Sequence, residues 1–144
     1  MYHFHAMIHA RPAKVAGGGP VSVAGLEVPT VMRPTADAGQ SFDVSFEETG
    51  DTLNRLPRMF FEPDGSFVWV GEGPPAWQMD GLLYDRDGRL LYAEIKGCCP
   101  PAQFDQFLAA LGWPGTPLLF QLAQAALFLE EAEFRLIAAR QPSA

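Results

Sequence analysis

The chain has 144 residues, 48% of them hydrophobic and 19% charged, with 17 Asp plus Glu against 10 Lys plus Arg. That profile belongs to a folded domain with its own core and excludes a disordered tail. It also speaks against gripping a phosphate backbone by charge alone, which takes several Lys and Arg contacts; a net charge of −7 as readily suits a basic protein partner and counts against a nucleic-acid enzyme.

No apolar run reaches the roughly 18 residues of a membrane span. The opening M-Y-H-F-H-A-M-I-H-A-R-P lacks a basic region followed by a long apolar stretch, so the expected location is cytoplasmic and no membrane partner is expected. The two cysteines, Cys98 and Cys99, are adjacent and cannot build a disulfide framework, which fits a reducing compartment.

Residues 2–10 alternate, which predicts a terminal strand carrying His3, His5 and His9 on one face, where His3 and His5 would be close enough to share a metal ion. Residues 11–40 are rich in Gly and Pro and read as loop, interrupted by a short strand from Val21 to Val28. Together, residues 1–40 form an N-terminal arm, irregular with short strands, and residues 41–144 a single α+β domain. Strict alternation of Phe42, Val44 and Phe46 predicts a half-buried strand over 41–47. Asp51 then caps a short helical turn that Pro57 ends.

Two hairpins follow in tandem, residues 59–71 turning at Asp64-Gly65 and residues 78–96 turning at Asp87-Gly88. They predict a four-stranded antiparallel meander. Phe104, Phe107, Leu108 and Leu111 recur at helical spacing over 101–111. Thr116 and Pro117 read as N-cap and first helical position of a second helix over 118–139, with a short strand within 117–122 or 126–129 as the alternative. The fold class is therefore α+β: an antiparallel meander of two hairpins packed against C-terminal helices, with an extended N-terminal arm.

The second hairpin, W-Q-M-D-G-L-L-Y-D-R-D-G-R-L-L-Y-A-E-I-K-G over 77–97, carries the chemistry. Its turn decides whether Asp80, Glu94 and Lys96 share a face. A two-residue loop, Asp87-Gly88, pairs Arg86 with Arg89 and sets Asp80 opposite Ile95, on the other face from Glu94. A three-residue loop, Arg86-Asp87-Gly88, sets Asp80 opposite Glu94, about 4.5–5.5 Å away at Cβ. The likeness to E-P-D-G-S at 62–66, where Pro63 demands a type I turn, favours the three-residue loop.

Asp80-x13-Glu94-x-Lys96 at the mouth of a hairpin resembles the PD-(D/E)XK, or restriction-endonuclease-like, nuclease superfamily, and within it the bacterial toxin nucleases of F-D-G…L-L-E-A-K type. The resemblance covers about 20 residues directly. It implies a Mg²⁺- or Mn²⁺-dependent nuclease or phosphodiesterase acting on nucleic acid. Asp80 and Glu94 would be metal ligands, Ile95 would offer its backbone carbonyl, and Lys96 would be the catalytic lysine. Met79 stands where the family has its proline. A further family acid would be Glu47, Glu48 or Glu72, and a helix glutamine Gln103 or Gln106. The rival reading is a non-catalytic acidic interaction module, an adaptor or immunity-type protein for a basic partner, in which Glu94 and Lys96 are a solvated strand end.

Overall fold

The computed structural model describes residues 1–35 and 42–140. Among them, nine strands form one antiparallel sheet: β1 (Tyr2–Ala10), β2 (Gly17–Val23), β3 (Leu26–Val31), β4 (Met59–Phe61), β5 (Ser66–Val70), β6 (Gln78–Arg86), β7 (Arg89–Cys99), β8 (Leu118–Leu122) and β9 (Phe128–Glu130). Three helices, α1 (Phe46–Asn54), α2 (Pro101–Ala110) and α3 (Glu131–Arg140), complete the chain. The strand order is β2-β3-β9-β8-β1-β7-β6-β5-β4, so the expected meander β4 to β7 forms one half of the sheet. The α+β class and the tandem hairpins are as the sequence predicts.

Several expectations change. Residues 2–10 form the expected strand, and β1 lies in the middle of the sheet between β7 and β8. The stretch Val21–Val28 is a hairpin instead of one strand, because Ala24 and Gly25 both take positive φ and turn β2 into β3. Within 41–47 no strand forms among the described residues; Ser41 and residues 36–40 lie outside them. Ser45 instead caps α1, exchanging hydrogen bonds with Glu48 in a capping box. The S-x-x-E signal therefore outweighs the alternation, and it displaces Asp51 as the cap. Phe42 is still buried, and Val44 and Phe46 still pack on the core.

The expected helix over 118–139 is short. Its apolar first half supplies β8 and β9, and only residues from Glu131 onward are helical. An all-apolar run fits a buried strand as well as a buried helix, and here it satisfies the open backbone edge of β1. Thr116, not a cap, donates to Asp43 Oδ2 at 3.2 Å.

Alternation along the central strands builds the core. Ala6, Ile8, Met79, Leu83, Ala93 and Ile95 all point to one side, where they meet Phe104 and Phe107 of α2 and Phe134 and Ile137 of α3. The Phe120 and Phe134 rings stack at 4.4 Å. α1 packs on the same side, through Leu53. The opposite face carries a small second cluster, Val31, Leu119 and Phe128 beneath Val15. Over β1, β7 and β6 no described helix covers it. No helix of the described residues is long and apolar enough to cross a membrane.

Candidate functional site

The turn of the second hairpin is neither of the simple cases. Asp87 and Gly88 take φ values of 54° and 82°, and Arg86 pairs with Arg89, so the loop has two residues. Positive φ at both central positions is the type I′ pattern, whose twist matches that of the strands. Pro63 forbids it in the first hairpin, where Glu62 and Ser66 flank a three-residue loop closed by Glu62 N–H to Ser66 O at 2.9 Å. The three-residue reading is thus right for 62–66 and wrong for 86–88.

A two-residue loop alone would split the acids between faces. It does not, because the register shifts just beyond it: Tyr84 pairs with Tyr92 but Asp85 with Leu90, leaving Leu91 as an extra residue in β7. This bulge restores parity. Asp80 comes opposite Lys96, Leu82 opposite Glu94, and Asp80, Glu94 and Lys96 share the uncovered face. With Gly81 and Leu82 they line one shallow depression of about 190 Å³. Ile95 faces the helices and is fully buried, paired with Ala6 on one side and Gly81 on the other.

The glycine after Asp80 is required. A Cβ on Gly81 would lie 2.1 Å from the Phe67 ring, which covers the position from the helix side. Gly97, after Lys96, has φ 128°, and a Cβ there would lie 2.2 Å from the Gln78 carbonyl oxygen. Both glycines let the backbones of β5, β6 and β7 close up around the site.

β1 adds what the ribbon lacks. Its register sets His5 beside Lys96 and Met7 beside Glu94 on the same face. His5 Nε2 donates to Glu94 Oε2 at 3.0 Å, and the Tyr84 hydroxyl donates to Oε1 at 3.1 Å. The His5 bond foremost, helped by Tyr84 and the nearby charge of Lys96, holds the Glu94 carboxyl below its usual range against the opposing effect of burial. Glu94 is therefore an anion with a fixed orientation, and each of its oxygens keeps a further lone pair. Asp80 is exposed and accepts from Gln78 Nε2 at 2.8 Å through Oδ1. Lys96 is exposed and has no ion-pair partner among the described residues.

An aromatic row continues along the face. Tyr84 and Tyr92 stack at 4.3 Å, and His9 lies 5.4 Å from Tyr92. His9 Nε2 donates to Gln121 Oε1 at 2.9 Å, and its burial lowers its pKa.

Compared with protein-family models, with curated proteins and with solved structures, the chain gives no match.

The other sequence candidates do not join the site. Glu47 and Glu48 begin α1, and Glu48 is spent on the capping box. Glu72 is exposed in the link between β5 and β6. Gln103 and Gln106 ride on α2, across the sheet. Among the described residues no group of three or more His, Cys, Asp or Glu side chains is gathered to hold a metal ion, so His3 and His5 do not form one with their neighbours. Cys98 and Cys99 are free thiols, and burial pushes the Cys99 thiol up to about 12. His5 and Tyr84 are the residues that reading the ribbon alone misses. Tyr84 was within reach, being four residues from Asp80 and so of the same parity; nothing in the sequence says that β1 pairs with β7.

Proposed function

We propose that the uncovered sheet face is a divalent-metal-dependent phosphodiester-hydrolysing site, centred on Asp80, Glu94 and Lys96. The observation that carries this reading is the bulge at Leu91, which brings those three side chains into one open depression. Asp80 and Glu94 would hold Mg²⁺ or Mn²⁺. Two carboxylates suffice where water and substrate oxygens complete the shell, which is how Mg²⁺ is usually held. When bound, the ion would supply charge stabilisation at the phosphate and a more acidic water.

The chain's own residues have distinct tasks in this scheme. His5 and Tyr84 keep Glu94 ionised and aimed, as outer-shell partners of a metal ligand do. Lys96, opposite Asp80, presents an unpaired ammonium to an anionic substrate and can orient the attacking water. Ile95, with its side chain buried, has only its backbone carbonyl to offer.

Calorimetric titration with Mn²⁺ and Mg²⁺, run beside plasmid and RNA cleavage, tests the assignment. Wild type is expected to bind metal and cleave. Glu94→Gln is expected to lose both, and Lys96→Met to bind metal without cleaving. Absence of binding at millimolar metal refutes the reading and leaves the acidic module for a basic protein partner.

A further inference from the structure

A larger cavity opens beside the site, and the metal reading does not use it. β8 pairs with β1 only over Ala6–Ala10, and the bond from Ala123 N–H to His5 O at 3.1 Å closes that ladder. Beyond it, no strand of the described residues pairs with the first half of β1 on that side, because the chain turns away through Gln124 and Ala125 into β9. The gap is a cavity of about 480 Å³, within the roughly 300–1,000 Å³ span of small-ligand pockets.

Its lining is divided. The inner part is apolar, built from Phe4, Leu122, Phe134 and Ile137. The other end is polar, with His3, His5, Cys98 and Lys96 on the uncovered face. Lys96 thus borders both the cavity and the Asp80–Glu94 depression. Lys96, exposed and without an ion-pair partner among the described residues, sets a donor-bearing ammonium at the mouth of this apolar cavity, with Asp80 and Glu94 on its other side.

The geometry points to a binding site for a small amphipathic anion, its apolar body against the partly exposed Phe4, Val23 and Leu122 and its anionic head at Lys96 and His3. Apolar surface in the cavity supplies affinity, and the charged head fixes orientation at the mouth. An uncharged analogue of the same shape loses the head contact. The site stands independently of metal binding, because Lys96 and His3 act on the head without the two carboxylates.

The probe is decanoate, titrated calorimetrically in the presence of EDTA so that the metal site takes no part. Wild type is expected to bind it saturably, and 1-decanol about tenfold or more weaker, the worth of a charge-assisted contact. Lys96→Met should weaken decanoate binding by a similar factor, and Lys96→Arg should retain it. Ala125→Trp, an exposed substitution at the rim that leaves the core intact, should also weaken it. Absence of saturable binding at millimolar decanoate overturns the inference. So does equal affinity for decanol, or affinity unchanged in both Lys96→Met and Ala125→Trp. Loss of decanoate binding alongside intact metal binding refutes the cavity alone.

Discussion

Glu94 is the residue on which the proposed chemistry of the face turns, and its carboxylate does not stand alone. His5 reaches it from β1 and Tyr84 from β6, one on each carboxylate oxygen. Such bonds favour the charged form, so the folded carboxyl titrates below its unfolded value. The stability this contributes is fully present above the unfolded carboxylate pKa of about 4.3 and is lost as pH falls through the lower folded value. Tyr84→Phe removes one donor while keeping the ring stacked on Tyr92. It should raise the Glu94 pKa, read by carbon-detected NMR titration, and cost about 0.5–1.5 kcal/mol of stability in urea unfolding. An unchanged Glu94 titration in this variant would show that the hydroxyl does not bear on the carboxylate.

At the scale of elements, the two hairpins show how closely register depends on single residues. E-P-D-G-S and D-R-D-G-R look alike, yet Pro63 fixes φ in one, and Asp87 is free to take positive φ in the other. The meander, α2 and the shared face of Asp80, Glu94 and Lys96 were legible from alternation, helical spacing and turn residues. The bulge was not, since nothing in L-L-Y marks Leu91 as the extra residue, and the correct face was reached through the wrong loop. The S-x-x-E cap at Ser45 was legible in principle and was masked by the alternating Phe42, Val44 and Phe46. β8 was hidden because Leu118–Leu122 is apolar throughout and reads equally as helix. Gly97 gives the element scale its test. Its positive φ and the Gln78 oxygen behind it exclude a side chain, so Gly97→Ala should cost about 2–4 kcal/mol in urea unfolding. A loss under about 0.5 kcal/mol, the size of an ordinary surface change, would contradict this close approach.

Across the described residues, the helices gather on one side of a wide sheet and leave β1, β7 and β6 without a helix on the other. That division puts the core and the polar side chains of Asp80, Glu94 and Lys96 on opposite faces of the same strands. The uncovered face is not simply solvated, because Tyr84, Tyr92, His9 and Phe128 line up along it and partly bury one another. His9 shows the effect on global stability. Burial favours its neutral form, so the unfolded chain takes up a proton that the folded chain resists. Its contribution is complete above the unfolded pKa of about 6.5 and falls away as pH drops below that toward the lower folded value. Urea midpoints should therefore decline from pH 7.5 to 5.5, and the decline should be shallower in His9→Gln. Parallel profiles would contradict the burial argument.

The central claim is that Asp80 and Glu94 form one metal site on the uncovered face, and paramagnetic broadening by Mn²⁺ tests it most directly. In an amide NMR spectrum, substoichiometric Mn²⁺ should first broaden the resonances of Asp80, Gly81, Leu82, Glu94 and Lys96, and Glu94→Gln should abolish the effect. Broadening confined to the acidic turns around Asp64 and Asp87, or none at all, would contradict the claim.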